Sequence, residues 1–435
     1  MTVSVASVPS PPVGLYVHIP FCVSICPYCD FVVVAGSETR GPRNRIEALV
    51  DALLVEIDLR ADVLDARFGR PGRAADLRAD SLDSTLGRPR RTGRRPPLSS
   101  LYLGGGTPSL LGPDALATIV ERVRRRYGLA EGAEVTLEAN PGPDERGDPL
   151  AQREAGITRI SFGAQSFNAV ELSQLGRRHT PVDVVDAVGA ARAAGIGSIN
   201  IDLLYDVPGQ TLATWMDSLE RAVALGPDHL SLYALTLDDP DADGLTGPGG
   251  DHLPTTIGAR RWRERARQAQ DEDRAAGMYH LAAHRLAEAR FRGYELSNWA
   301  RPGHEGRHNL AYWMRRPVEA VGPGAHAFDG VVRRWNAARL DSYVAALRPG
   351  PGGDPALPPG AEEPALTGDA ATAEAIMLGL RLDAGVPLMA FLEPPLDAVL
   401  AWANASGLVE QTGDGRVRLT TNGRLLSNEI FARLV

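Results

Sequence analysis

The three cysteines of this 435-residue chain lie within eight positions, as Cys22, Cys26 and Cys29 in the run C-V-S-I-C-P-Y-C. Cysteine thiolates hold iron–sulfur clusters, usually four thiolates to a cluster. Three thiolates at this spacing can each bind one iron of a 4Fe–4S cluster, which leaves the fourth iron without a protein ligand. Such an iron can chelate the amino and carboxylate groups of S-adenosylmethionine and pass an electron to its sulfonium. That reaction yields a carbon radical, a chemistry that side chains alone do not supply.

Two other interpretations compete for these cysteines. A disulfide framework is disfavoured because three is an odd number and the spacing is too tight for two bridges. A zinc site needs a fourth ligand, and His18 lies close enough in the sequence to supply one. The C-x3-C-x2-C spacing differs from the C-x2-C pairs that are typical of zinc modules. The spacing therefore favours the cluster, with zinc as the alternative.

The run from Gly14 to Phe31, G-L-Y-V-H-I-P-F-C-V-S-I-C-P-Y-C-D-F, resembles the first strand and cluster loop of radical S-adenosylmethionine proteins. More narrowly, it resembles the family of oxygen-independent coproporphyrinogen III oxidases and the related heme chaperones, the HemW branch. In the oxidases a further cysteine follows two positions after the third. Here that position is Phe31, as in the chaperone branch, so the resemblance argues against the oxidase.

The elements that would position these residues follow a regular order. From residue 14 to about 240, short apolar runs alternate with amphipathic helical patterns, which implies an α/β fold with a parallel sheet. Six such units are too few for a closed eight-stranded barrel, and the resemblance implies a partial (β/α)6 barrel. Functional residues in such barrels follow the C-terminal ends of the strands. The predicted strands are 15–18, 100–103, 134–138, 159–162, 198–203 and 229–235, and the predicted helices are 46–64, 113–127, 149–155, 181–194 and 212–224.

Gly/Pro-rich breaks at 238–254 and 349–364 separate three predicted domains, 14–240, 256–347 and 365–435. The first is the barrel and the second is mainly helical. The third, helices followed by a hairpin of 408–410 and 416–419, resembles a winged helix but has no evident basic recognition helix. Within the barrel, an insertion at 66–97 is predicted to be a flexible, solvated loop because of its composition. Its end carries Arg88, Arg90, Arg91, Arg94 and Arg95.

A glycine run directly follows the second predicted strand, in L-Y-L-G-G-G-T-P. Glycines allow backbone groups to approach a ligand closely, although a tight strand–helix turn would have the same sequence. The resemblance implies that this run holds the methionine moiety of S-adenosylmethionine. On that match Gly105, Gly106 and Thr107 are cofactor-binding residues.

Further polar residues continue the resemblance at or after later strands: Glu138, Gln165, Arg177 and Asp202. A cofactor with an ammonium, a carboxylate and a ribose needs both acceptors and a cation in one pocket. Arg177 could pair with the carboxylate, and the acids could bind the ammonium or the ribose hydroxyls. Tyr16, on the first strand, is placed to contact the cofactor near the cluster, although ordinary packing would explain it equally well.

The run R-H-N-L-A-Y-W, residues 307–313, resembles the H-N-x-x-Y-W signature of the chaperone branch, which is associated with heme binding. His308 could give an imidazole to heme iron, and Tyr312 and Trp313 could offer flat faces to a porphyrin. His304 and His326 are alternative iron ligands.

The bulk composition excludes several function classes. A net charge of −8 gives no electrostatic footprint for nucleic acid. Because the chain contains no lysine, a Schiff-base or lysine-nucleophile enzyme is excluded. No apolar run approaches the roughly 20 residues that span a bilayer, residues 1–12 do not resemble a secretory signal, and cysteines without bridges suit a reducing compartment. We therefore expect a soluble cytoplasmic protein; the sequence does not specify its oligomeric state.

These observations lead to one main hypothesis and two alternatives. The main hypothesis is a heme chaperone that binds a 4Fe–4S cluster, S-adenosylmethionine and heme and delivers the heme to a membrane or respiratory acceptor protein. No catalytic residue is assigned. The first alternative is an oxygen-independent coproporphyrinogen III oxidase, a radical enzyme of porphyrin biosynthesis. The second is a zinc-containing regulatory protein that uses its winged-helix-like end.

Overall fold

A twelve-stranded mixed sheet forms the framework of the computed structural model, which describes residues 8–40, 44–72, 94–237, 243–246 and 250–434. The sheet order is β7-β8-β6-β5-β4-β3-β2-β1-β9-β10-β11-β12. Strands β1 to β6 and β9 form its parallel part. The strands are β1 Gly14–Ile19, β2 Leu98–Gly105, β3 Leu129–Ala139, β4 Arg159–Gln165, β5 Ser198–Tyr205, β6 His229–Ala234, β7 Arg292–Gly293, β8 Asn298–Ala300, β9 Val318–Val321, β10 His326–Phe328, β11 Arg333–Asn336 and β12 Gly360–Glu362.

Helices cover the outer face of the parallel strands. Several begin at side-chain caps: Thr180 and Asp183 form a capping box, and Asn168 accepts hydrogen bonds from two backbone amides. The helices between β1 and β6 are Ile46–Phe68, Pro113–Tyr127, Pro149–Glu154, Ala169–Gln174, Pro181–Ala193 and Leu212–Ala224. The later helices are Ile257–Ala269, Glu272–Glu288, Arg307–Trp313, Leu340–Leu347, Gly368–Leu380, Leu396–Ala405, Thr421–Leu425 and Ser427–Phe431.

Alternation along the strands separates an apolar outer face from a polar inner one. Leu101 and Leu103 of β2 are buried in the main core with Leu49 and Leu53 of the first helix. Tyr102, between those two leucines, instead lines the central cavity. Successive side chains of a strand point to opposite faces. In β3, β4, β5 and β6 every second residue likewise points into the cavity, and many of these residues are polar. The interior of a closed barrel is normally packed with branched aliphatic residues, so a polar interior indicates a binding site.

The smaller C-terminal part has its own core and a three-stranded sheet of β13 Val386–Pro387, β14 Val409–Gln411 and β15 Arg416–Leu419. Strands β14 and β15 form the hairpin that the sequence predicts. The predicted fold class, a partial α/β barrel followed by a smaller C-terminal α+β part, is confirmed. Within the described ranges, none of the helices combines the length and apolar character that crossing a bilayer requires.

The structure differs from the sequence prediction in two places. The insertion is ordered at both ends: the first helix runs to Phe68, and the two-residue strands Arg70–Pro71 and Arg94–Arg95 pair with each other. Arg95 is buried because its guanidinium pairs with Asp65, 3.0 Å away; residues 73–93, including Arg88, Arg90 and Arg91, lie outside the described residues. The segment predicted to be mainly helical also adds β7 to β11 to the sheet. Those strands have two to four residues each, too few for a period to show in the sequence.

Candidate functional site

The inner faces of the parallel strands enclose a cavity of about 830 Å3, a size typical of small-molecule sites. The C-terminal part closes one side of it through Arg381 and Arg424. The cavity lining contains twelve residues that the sequence assigns to the metal or to a cofactor: Tyr16, Cys22, Cys26, Cys29, Gly105, Gly106, Thr107, Glu138, Gln165, Arg177, Asp202 and His308. Tyr312 also lines the cavity, whereas Trp313, the second aromatic residue expected to contact a porphyrin, is not among the lining residues.

The cysteines lie on a loop that follows the C-terminal end of β1. None forms a disulfide, and all three are partly exposed. The Sγ atom of Cys22 lies 3.4 Å from the hydroxyl of Thr107, and a guanidinium nitrogen of Arg177 donates to the Sγ atom of Cys26 at 3.5 Å. Three free thiols that share one cavity mouth with a cation fit the donor set of an open-cornered 4Fe–4S cluster.

Burial keeps two of these thiols protonated while no cation is bound. It raises the pKa of Cys22 to about 11 and that of Cys29 to about 12. Metal ligation requires thiolates, so loading iron must release these protons. When bound, the cluster would supply an electron to a sulfonium in the cavity, and the chain would supply the three thiolates and the walls that exclude water.

His18, the fourth ligand that a zinc site would need, is already engaged. Its Nε2 atom donates to the carbonyl of Val32 at 2.8 Å, and its Nδ1 atom lies 2.9 Å from the hydroxyl of Tyr16. The side chain is buried. Because both ring nitrogens have partners, the imidazole fixes the loop to β1 and is not free to complete a zinc site.

The glycine run packs closely against the cysteine loop and also lines the cavity, so its role in cofactor binding stays a prediction. Gly105 has φ +114°, and a Cβ atom there would lie 2.5 Å from the His18 ring. A Cβ atom on Gly106 would lie 2.7 Å from the carbonyl oxygen of Phe21. The amides of Gly106 and Thr107 donate to the carbonyls of Ile19 and Phe21, both at 2.8 Å. The run therefore holds the cysteine loop, which is a close approach of two backbones.

Glu138 forms a hydrogen bond with the glycine run. Its two carboxylate oxygens accept hydrogen bonds from the hydroxyl of Tyr102 at 2.6 Å and from the amide of Gly105 at 2.9 Å. Burial raises the pKa of Glu138 to about 7, and these two hydrogen bonds oppose the shift. An ammonium group of a bound ligand would restore the charged form.

Asp202 is the centre of a buried polar network. It accepts hydrogen bonds from Ser161 at 3.0 Å and from Asn200 at 2.6 Å. Burial raises its pKa, and hydrogen bonds from serine and asparagine side chains oppose the shift. The Nδ1 atom of His229 lies 2.7 Å from the side-chain amide oxygen of Asn200, and its Nε2 atom lies 2.9 Å from the hydroxyl of Tyr294. This network presents acceptors and hydroxyls to the cavity.

Arg177 and Gln165 line the cavity near the cysteines. Arg177 donates to the carbonyl of Gly163 at 2.8 Å and to the amide oxygen of Asn140, and its Nε atom is buried with no hydrogen-bond partner among the described residues. Gln165 has φ +65°, a left-handed conformation at the end of β4. A guanidinium next to the cluster loop with no carboxylate partner and an unpaired Nε atom among the described residues is compatible with the prediction that Arg177 pairs with a ligand carboxylate.

His308 lies at the other end of the barrel. Its Nδ1 atom is 3.0 Å from the hydroxyl of Ser100, which pairs in register with Gly14 at the start of β1. Its Nε2 atom is 3.0 Å from the hydroxyl of Tyr312, and its ring stacks on Tyr102. Ser100 precedes Gly105 by five residues, roughly 16 Å along a strand. Both ring nitrogens therefore have partners, and heme ligation by His308 stays a prediction that requires Tyr312 to release Nε2.

The alternative heme ligands lie outside the cavity lining. The Nδ1 atom of His304 is 3.1 Å from the hydroxyl of Ser198, and the Nε2 atom of His326 is 2.9 Å from Asp251. His326 also stacks on Trp335. Neither is among the residues that line the cavity, so His308 is the histidine of the three that faces it.

Sequence reasoning assigned no role to several residues that the structure places in the cavity. They share one signal, a polar residue between apolar ones on a parallel strand, or a polar residue just beyond a strand end: Tyr102, Asn140, Ser161, Asn200, His229 and Ser231. Arg381 and Arg424 carried no signal, because they reach the cavity only through the packing of the C-terminal part.

Comparison with known protein families identifies the superfamily to which this chain belongs. The Radical SAM superfamily description matches residues 16–222, and the HemN C-terminal domain description matches residues 366–426. Together with three free thiols at the mouth of a polar α/β barrel, these matches make the chain a member of the radical S-adenosylmethionine superfamily. Membership implies a 4Fe–4S cluster and S-adenosylmethionine as cofactors.

Relatives that match most of the chain define the family more narrowly. Heme chaperone HemW of Mycobacterium tuberculosis (strain H37Rv) is 36% identical over 99% of this chain and 96% of that protein. Heme chaperone HemW of Escherichia coli (strain K12) is 34% identical over 76% of this chain and 74% of that protein. The chain belongs to the heme chaperone HemW family.

A solved structure shares the fold. Coproporphyrinogen III oxidase (HemN) from Escherichia coli, described as a Radical SAM enzyme, matches with a TM-score of 0.72 and 23% identity over 99% of this chain and 91% of that one. At this level of identity the likeness confirms the architecture and says nothing about the reaction.

Proposed function

We propose that this protein is a heme chaperone of the HemW type. It binds a 4Fe–4S cluster through Cys22, Cys26 and Cys29, holds S-adenosylmethionine in the barrel, and carries heme near His308 to an acceptor protein. The observation that carries the proposal is a single cavity that joins the three thiols at its mouth to His308 and its aromatic neighbours.

The part of the cavity next to the cysteines supports the cofactor assignment. A cation, Arg177, lies beside the thiols, and two partly buried carboxyl groups, those of Glu138 and Asp202, line the same cavity. That distribution complements a ligand with a carboxylate, an ammonium and hydroxyl groups. In this proposal Arg177 pairs with the methionine carboxylate, and the acids bind the ammonium and the ribose.

The part of the cavity around His308 supports heme as the ligand that the protein carries. Burial lowers the pKa of His308 to about 3, so the imidazole is neutral, which is the form that ligates iron. Tyr312 holds the Nε2 atom of His308 and itself lines the cavity. In this proposal a porphyrin that displaces the Tyr312 hydroxyl frees His308 for the iron.

The experiment starts with protein purified and reconstituted without oxygen. Iron and sulfide should be found at four each per chain, and the electron paramagnetic resonance signal of the reduced cluster should shift when S-adenosylmethionine is added. A Cys22→Ala/Cys26→Ala double variant should lose that signal. A normal cluster signal in the double variant, or one that ignores S-adenosylmethionine, would overturn the cofactor assignment.

Heme binding and delivery are tested next. Heme titrated into the protein should give a saturable Soret shift, and an apo-hemoprotein mixed with the loaded protein should acquire that heme. His308→Ala should weaken binding while His304→Ala, outside the cavity, should not. A shift that is unchanged in His308→Ala would count against His308 as the ligand. The cytoplasmic location and the identity of the acceptor stay predictions, which fractionation and cross-linking of heme-loaded protein would test.

The oxidase alternative makes a different prediction. That reaction needs S-adenosylmethionine, whose radical would take one hydrogen atom from each propionate that loses carbon dioxide, and an added one-electron acceptor. With both present, reduced, reconstituted protein given coproporphyrinogen III without oxygen would release carbon dioxide and form protoporphyrinogen catalytically. Phe31 occupies the position of the oxidases' additional cysteine and is exposed beside the cluster loop, so we expect no turnover. Catalytic product formation would replace the chaperone assignment.

A further inference from the structure

One guanidinium in the cavity comes from the C-terminal part of the chain. Arg381 follows the last residue of the helix Gly368–Leu380, and its guanidinium carbon lies 4.3 Å from the centre of the Trp313 ring. Trp313 ends the helix that carries His308. A guanidinium that stacks on an indole is held in one plane with its edges open for hydrogen bonds.

The described residues leave this cation without an ion-pair partner. No carboxylate among them lies within 4.0 Å of Arg381, and its Nε atom is buried with no hydrogen-bond acceptor. Arg424, which lines the same side of the cavity, differs: it pairs with Asp383 at 2.6 Å and donates to the carbonyl of Glu295 at 3.1 Å. The guanidinium of Arg424 therefore binds other protein groups, whereas that of Arg381 can still bind a ligand.

Glu295 is the carboxylate that interacts electrostatically with Arg381. It lies beyond ion-pair distance, and its own hydrogen bonds are made with other residues. Its carboxylate accepts from the amide of Ser297 at 3.1 Å and from the side chain of Asn298. Burying a cation without a partner is costly, and Arg381 loses hydration to the cavity wall. A ligand anion in the cavity would remove that cost.

We propose that Arg381 is a specificity-determining residue that binds a carboxylate of the cavity's cargo. This inference rests on the proposed function, under which the carboxylate is a propionate of heme. A planar guanidinium pairs with a carboxylate through two parallel hydrogen bonds. Because Trp313 positions Arg381 and belongs to the same helix as His308, one helix would organise both the iron end and the propionate end of the porphyrin.

The carboxylate of S-adenosylmethionine is the other source of this chemistry, and position argues against it. Arg177 already lies beside the cysteine loop, 3.5 Å from the Cys26 sulfur, where a cluster-bound methionine carboxylate would be. Arg381 instead stacks on Trp313. The test therefore measures the two ligands separately.

The experiment compares heme with its dimethyl ester, which has no free propionate, both presented in the same detergent to reconstituted protein. Wild type should bind heme about tenfold or more tightly than the ester, the effect of a hydrogen bond to a charged group. Arg381→Gln should bind the two ligands equally. Arg381→Lys keeps the positive charge but cannot form two parallel hydrogen bonds, so its preference for heme over the ester should lie between those of wild type and Arg381→Gln. S-adenosylmethionine affinity should be unchanged in both variants.

Arg433→Gln is the matched control, because Arg433 also stacks on a tryptophan of the C-terminal part, 3.9 Å above Trp402, but does not line the cavity. It should keep the preference for free heme. Equal binding of heme and ester by wild type, or a preference retained in Arg381→Gln, overturns the inference while leaving the chaperone proposal standing. A tenfold loss of S-adenosylmethionine affinity in Arg381→Gln assigns the residue to that cofactor instead. Failure of wild type to bind either porphyrin refutes the proposed function itself. If Arg381→Gln does not fold, the wild-type comparison and Arg381→Lys decide by the same criteria.

Discussion

Replacing Glu138 by glutamine should change how the stability of the cofactor-free protein depends on pH. Burial raises the pKa of Glu138 from an ordinary value of 4.5 to about 7. The native state therefore holds a proton that the unfolded chain has already lost between those two pH values. Since the native state binds more protons there, the free energy of unfolding falls as the pH rises through this window.

The size of the effect follows from the shift. Each unit of pKa corresponds to 1.36 kcal/mol, so the shift of Glu138 corresponds to about 3 kcal/mol. The Glu138→Gln variant cannot titrate. Its amide also faces the donor of Gly105, which adds a cost that does not vary with pH. The stability of wild type relative to the variant should therefore be greatest below pH 4.5 and about 3 kcal/mol smaller above pH 7.

The assay is urea unfolding of reduced, cofactor-free protein, followed by circular dichroism at intervals between pH 4 and pH 8. Free energies come from linear extrapolation. Glu264→Gln, an exposed substitution on the helix Ile257–Ala269, controls for the loss of a surface charge and should follow the wild-type curve. If the wild-type and Glu138→Gln curves stay parallel within about 0.5 kcal/mol, the buried carboxyl does not titrate as described and the argument from burial fails.

Two further substitutions test how the fold supports the site. Gly106→Ala would put a methyl group 2.7 Å from the Phe21 carbonyl, so it should lower the iron content after reconstitution and cost about 1–3 kcal/mol of stability. Gly413→Ala, in the hairpin turn of the C-terminal part with open space around it, should change neither, and a normal iron content in Gly106→Ala would contradict the packing argument. Arg95→Met should leave two backbone carbonyls without a donor and Asp65 with only a distant ion pair to Arg70 at 4.0 Å. It should destabilise the protein by about 3–5 kcal/mol in urea unfolding. The matched Arg67→Met, at a partly exposed ion pair with Asp329, should cost about 1 kcal/mol or less. A loss in Arg95→Met as small as this would contradict the argument from its buried hydrogen bonds.

The barrel could be predicted because its strands and helices follow strong local patterns. Leu101 and Leu103 alternate with polar neighbours in β2, and Thr180 with Pro181 marks the start of a helix. The strands β7 to β11 could not be predicted, because each is set by the strand it pairs with rather than by its own residues. The pairing of β9 with β1, for example, joins Val318 to Gly14, more than three hundred residues apart.

The candidate site was predictable to the extent that its chemistry is concentrated in single residues. The spacing of the cysteines and the resemblance of later motifs named residues that the fold collects in one cavity. Neither could reveal that the imidazoles of His18 and His308 are engaged at both nitrogens. Hydrogen-bond partners come from distant parts of the chain, and no local pattern encodes them.

The sequence by itself determined the spacing of the three cysteines that we propose as cluster ligands, the alternation that makes the barrel interior polar, and the family. Those properties depend on residue type and short-range spacing, which the chain carries directly. Only the tertiary structure decided which polar groups satisfy one another and which are left for a ligand. Arg95 forms an ion pair with Asp65, whereas Arg177 and Arg381 line the cavity and have no carboxylate within 4.0 Å among the described residues. The difference arises because ion-pair partners depend on what packs around each guanidinium.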